Sequence, residues 1–78
     1  HDDSEADAVA KIAAEHPELR VCSMEHLVYL LGRSETSRKR NVVETIHEFR
    51  DIARPFFERL AETGNQWAQD TLVAFYET

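Results

Sequence analysis

The stretch NVVETIHEFRDIARPFFERLAET, residues 41–63, decides the fold. Val42, Ile46, Phe49, Ala53, Phe56, Leu60 and Thr63 follow one another at alternating steps of four and three. That spacing gathers side chains on one stripe of an α-helix, whereas the face of a strand needs steps of two. Val43, Phe57 and Ala61 widen the stripe to about 140°, beyond the usual 100° or so, enough to meet two neighbours at once; Ile52 falls outside it. Pro55 interrupts the pattern. A proline inside a helix removes one N–H and clashes with the preceding turn at a cost of about 3 kcal/mol. Because the apolar phase continues through it unchanged, the expectation is one long helix kinked near Asp51–Arg54.

Signals on either side bound this helix. Asn41 and Glu44 make a capping pair at its start, although the helix could begin as early as Ser34. Gly64 stops it, and Asn65 caps a final helix in which Ala68, Leu72, Phe75 and Tyr76 share a face flanked by Trp67, Thr71 and Ala74. Upstream, Ser4 and Asp7 with neighbouring acids open a first helix that ends near Glu15, since Pro17 disfavours helix at His16. Val9, Ile12, Ala13 and His16 form its small apolar face, which suggests a light cover and not a core element. PELRVC, residues 17–22, reads as an extended connector with Leu19 and Val21 turned inward. Ser23 is the expected N-cap of a short helix from Met24 to Leu31, with Gly32 just past its end. Met24, Leu27, Val28 and Leu31 share one face, and Tyr29 and Leu30 lie off it, so this helix should be central or covered by a partner. The prediction is a single all-α domain over 1–78: a bundle of about four helices, one of them long and Pro-kinked. The chain begins at His1 without Met, so residues 1–4 are expected to be disordered or a tag remnant.

Composition narrows the function. At 78 residues the chain buries roughly 60–65% of its unfolded surface, and small helical domains of this kind often gain burial from a second chain. A formal charge of −6 repels phosphate backbones and anionic lipid. The single Cys22 suits a reducing cytoplasm, and no apolar run or leader-like segment implies a membrane. Metal ligation has two pairs to draw on, Cys22 with His26 and His47 with Asp51, but they match no named zinc motif. Glu44 and His47 supply one Glu-x-x-His, where di-iron bundles use two. His47-Glu48 lacks the second histidine of zinc proteases, and Cys22 has no local support as a nucleophile. Neither an enzyme nor a cofactor is expected.

Two surfaces remain. Arg33, Arg38, Lys39 and Arg40 form a basic segment that could imitate the start of a recognition helix, giving a helix-turn-helix-like DNA-binding regulator over 33–40 as the alternative function. The favoured reading gives Arg38, Lys39 and Arg40 an acidic protein partner instead. The second feature is an apolar surplus. Tyr29, Leu30, Phe49, Ile52, Phe56, Phe57, Trp67, Phe75 and Tyr76 are the candidate interface residues, and a symmetric dimer through the long helix is the simplest way to cover them.

Two resemblances bear on this. LAETGNQWAQDTLVAFYE (60–77) looks like the junction between two helices of Sel1-type or tetratricopeptide-like repeats, but no second copy occurs upstream. SMEHLVYLLGRSETSRKRNVVETIHEFR (23–50), with the small acidic helical character of the chain, resembles the quorum-sensing antiactivators of the QslA type, which bind LasR-like transcription factors. That resemblance implies an all-α homodimer that occupies the ligand-binding domain of a LuxR-type factor and blocks its assembly on DNA. The expected function is therefore non-enzymatic, cytoplasmic protein binding, most specifically antiactivation of a bacterial transcription factor.

Overall fold

A computed structural model describes residues 4–77. The chain is all-α, with five helices and no strand among the described residues: α1 (Ser4–Glu15), α2 (Arg20–Arg33), α3 (Arg40–Glu48), α4 (Arg50–Glu62) and α5 (Gln66–Glu77). Short 3₁₀ turns, Pro17–Leu19 and Glu35–Ser37, join the first three. Of the segment expected to lack order, Ser4 already opens α1, and residues 1–3 lie outside the described residues. None of the described helices is long and apolar enough to cross a membrane.

The long helix is broken, not kinked. An unbroken helix over 41–63 would span about 35 Å at 1.5 Å per residue, more than the 27 Å longest extent of the whole molecule. The break falls at Phe49 (φ −110°, ψ 36°), upstream of the predicted site. Its N–H still bonds the Thr45 carbonyl, while its own carbonyl accepts from Ile52 and Ala53, so one residue closes α3 and starts α4. Pro55 then sits in the second turn of α4 instead of deep inside a helix begun at Arg40. The stripe is split between neighbours. Val42 and Ile46 belong to α3, which packs on α1, whereas Ala53, Phe56 and Phe57 belong to α4, which packs on α2 and α5. All five are buried in the chain's own core, while Val43, Phe49, Leu60 and Ala61 of the same stripe are partly buried and Thr63 is exposed.

The first half of the chain is more helical than its sequence pattern suggests. His16 is extended (φ −125°, ψ 88°), as its place before Pro17 requires. Pro17 then starts a 3₁₀ turn that runs into α2 at Arg20, so Ser23 lies within the helix and does not cap it. The expected extended connector over 17–22 is absent, and Leu19 and Val21, expected inside, are 47% and 58% exposed. Nor is α1 a light cover. Ala6, Ala10 and Ala13 are buried, and these small side chains seat α1 on α2 and α3.

α2 is the central helix, with Met24, Leu27, Val28 and Leu31 wholly buried. It runs on to Arg33, past the predicted stop at Gly32. Gly32 serves close approach instead: a Cβ there would lie 2.5 Å from Cδ2 of Leu60 in α4. Gly64 does act as a helix stop, at φ 92°.

The α1–α2 and α2–α3 connections share one device. Each helix ends in an extended residue (His16, Ser34), makes a 3₁₀ turn, and then meets an arginine that reaches back to the helix just completed. Arg20 donates from Nε to the Ala13 carbonyl (2.7 Å) and from Nη2 to that of Ala14 (3.2 Å). Arg38 repeats this on Leu31 (2.8 Å) and Gly32 (3.5 Å). Each guanidinium also lies over an aromatic ring, Arg20 at 4.3 Å from the Phe49 centroid and Arg38 at 4.6 Å from that of Trp67. A cation at a helix C-terminus satisfies carbonyls that have no intrahelical partner and opposes the negative end of the dipole.

Asn65 closes the other end of the molecule. Its Oδ1 accepts from the Ala68 N–H (3.0 Å), the predicted N-cap of α5, and its Nδ2 donates to the Gly32 carbonyl (3.0 Å) on α2. Asn65→Ala should therefore cost more than a simple cap, about 1.5–2 kcal/mol, because a cap is worth about 1 kcal/mol and an interhelical bond is lost with it. Asn65→Asp, which keeps the acceptor alone, should recover the cap only. Urea midpoints of the three proteins check this.

Candidate protein-binding surface

The structure sorts the predicted interface residues sharply. Leu30, Phe56, Phe57 and Phe75 are buried in the chain's own core and leave the set. Phe57 stacks edge-on against Trp67 (centroids 5.0 Å apart) and Phe75 (5.4 Å). Tyr29, Phe49, Ile52 and Trp67 are partly buried and pack against that core. Tyr76 alone of the nine is widely exposed, at 64%; its hydroxyl donates to Glu58 (3.3 Å) and its ring lies 5.6 Å from the Arg54 guanidinium.

The basic segment is largely committed to intrachain contacts. Arg38 is turned inward onto α2 and Trp67. Lys39 Nζ pairs with Asp7 (3.3 Å), whose other oxygen accepts from Asn41 (3.0 Å), tying α1 to the start of α3. Arg40 pairs with Glu44 (3.2 Å) with its side chain 95% exposed. A DNA-reading surface over 33–40 would therefore have to draw chiefly on Arg33 and Arg40.

The candidate metal and catalytic groups are dispersed. His47 packs edge-on against Phe75, and Asp51 pairs with Arg54 (3.3 Å). His26 Nε2 meets Glu5 (3.0 Å), linking α2 to α1. Cys22 is exposed one turn away, and among the described residues no hydrogen bond joins it to His26. No three His, Cys, Asp or Glu side chains gather in ligand geometry among the described residues.

What the structure does bring together is an apolar groove of about 280 Å³ between α1 and α2, lined by Val9, Ile12, Leu19, Cys22, Ser23 and His26. Its walls follow from the two features described above. The alanine face of α1 turns inward, so Ile12 on the far side turns outward to 38% exposure, while Val9, on the flank between them, stays partly buried against the core. Arg20 turns inward to the end of α1, so its neighbours Leu19 and Val21 face solvent. The result is a continuous apolar surface at one end of the α1–α2 pair. Sequence reasoning named every one of these residues except as surface. The available signal was that the alanines at 6, 10 and 13 and the larger Ile12 lie on different sides of α1, which cannot bury both against one neighbour. A second, smaller exposed set, Val73 and Tyr76, lies on α5.

No family model, no curated protein and no solved structure matches this chain.

Proposed function

We propose that the chain is a non-enzymatic regulator that acts by stoichiometric protein binding through the α1–α2 groove. The observation that carries this is the exposure of Ile12 and Leu19 on a concave apolar surface while the rest of the large apolar side chains are mostly folded inside. Contiguous exposed apolar surface mixed with polar groups marks interaction sites in otherwise well-packed domains. The surface is open and largely apolar, which suits a few side chains of a protein.

The more specific form of the proposal is antiactivation: the groove occupies a surface that a LuxR-type transcription factor needs for its own assembly. Its support is the resemblance of residues 23–50 to antiactivators, a stretch that contributes Ser23 and His26 to the groove. Co-elution with the ligand-binding domain of such a factor tests this form directly.

The general proposal is tested on the exposed positions. Ile12→Ser/Leu19→Ser removes side chains that are 38% and 47% exposed, so the circular dichroism spectrum should stay helical and the urea midpoint should fall by less than it would for a wholly buried side chain. Recovery of the stoichiometric partner from lysate of the source cell should fall about tenfold, as for truncation of central interface residues. Val73→Ser/Tyr76→Ser on α5 should leave recovery intact. Undiminished recovery by the Ile12/Leu19 variant would overturn the assignment of this surface.

A further inference from the structure

The groove has an apolar floor and an acidic surround, and the surround specifies the partner. Glu5 on α1 reaches across to His26 on the groove wall. Glu15 follows Ile12 by three residues on α1, and Glu25 follows Cys22 by three on α2, which places each about one turn from a lining side chain. Glu18 precedes Leu19 in the 3₁₀ turn, where its carboxylate meets His16 at 3.3 Å. Two cations lie nearby on these elements. Arg20 is turned inward onto the Ala13 and Ala14 carbonyls, and Lys11 lies on the flank of α1. Arg59 approaches Glu25 from α4 at 3.8 Å, leaving Glu5, Glu15 and Glu18 without a Lys or Arg partner among the described ion pairs. The rim is therefore negative, in a chain whose formal charge is −6.

We infer that the occupant is a basic amphipathic helix of a partner protein, laying an apolar row into the groove with Lys or Arg residues on either side. This rests on the reading of the groove as a binding surface and adds the chemistry of what fills it. A groove between two helices receives a third helix through apolar anchors spaced i, i+3/i+4 and i+7. The rim carboxylates then choose cationic flanks and reject acidic ones. A second copy of this chain is a poorer fit, because an isologous contact would set the same glutamates against one another.

The test is selection from a displayed library of amphipathic helices in which flanking positions carry Lys, Arg, Glu or Asp with equal frequency. Wild-type protein is the target, and Ile12→Ser/Leu19→Ser, of identical charge, is the counter-target. Enriched peptides should carry net positive flanks and weaken about fivefold between 50 and 300 mM salt, as screened surface pairs do. They should also protect Cys22, the only cysteine, from alkylation, since it lines the groove. Enrichment of neutral or acidic flanks, failure to protect Cys22, or no enrichment over the counter-target would overturn the inference. So would sedimentation showing self-association that the Ile12/Leu19 variant abolishes. Should the library fail while that variant still loses its lysate partner, the partner chemistry is wrong and the groove assignment stands. Should the variant keep its lysate partner, the groove assignment itself falls.

Discussion

Phe57→Ala should sharply lower the protein's stability. Phe57 is wholly buried and its ring meets both Trp67 and Phe75 edge-on, so it joins α4 to α5 at two points. Removing a buried phenylalanine costs about 3–5 kcal/mol, from lost transfer energy and the cavity left behind. A domain of this length has a total stability on the order of 4–12 kcal/mol, so one such change removes a large part of it. Edge-to-face aromatic pairs add about 0.5–1.5 kcal/mol each beyond the area they bury, which places the expected loss toward the upper end of the range. The neighbouring Trp67 is the chain's only tryptophan, so its fluorescence reports the same packing that the substitution removes. A urea midpoint shifted by less than 1 kcal/mol equivalent would mean that α4 and α5 are held together elsewhere.

Arg38→Ala should cost about 2 kcal/mol, a large effect for a residue in a segment that reads as a contact for a partner. The guanidinium makes two charge-assisted bonds to the end of α2 and covers the Trp67 ring. Hydrogen bonds to charged groups contribute about 1.5–3 kcal/mol and a cation over an exposed ring about 0.5–1 kcal/mol. Arg38 is only half-buried and the Gly32 bond is long, so the combined loss is expected near the lower end of that sum. Arg38→Lys separates the causes. Lysine keeps the charge at the helix C-terminus but cannot fork across two carbonyls or lie flat on an indole. Recovery of less than half the loss, with Trp67 emission still altered, would assign the effect to geometry. Full recovery by lysine would assign it to the charge opposing the α2 dipole. Arg20 should behave alike on α1, with Phe49 in place of Trp67.

These two residues show where the pattern of apolar side chains is informative and where it is not. Phe57 was legible as part of a helical stripe, and so were Gly64 as a stop and Asn65 as a cap, because each depends on neighbours within one turn. The roles of Arg20 and Arg38 were not, since each acts on carbonyls six and seven residues back through a turn that no periodicity announces. Gly32 misled for a related reason. A glycine near the end of an apolar run reads as a stop, but this one makes room for Leu60, which lies on another helix. The groove was the least legible feature. Which face of α1 turns outward depends on how closely α2 can approach, and the alanines that permit that approach are weakly hydrophobic and easily passed over.

The order of polar and apolar residues along the chain was enough by itself to mark an all-helical fold, though not the helical turns at residues 17–22, because helical periodicity is a local property written over a few turns. Folding those helices against one another settled everything that depends on distance in the chain. It broke the stripe at Phe49, so that α3 packs on α1 while α4 packs on α2 and α5 within a molecule 27 Å long. It drew most of the large aromatics into one core. And it left Ile12 and Leu19 outside, because two helices in contact can each bury only the side that faces the other.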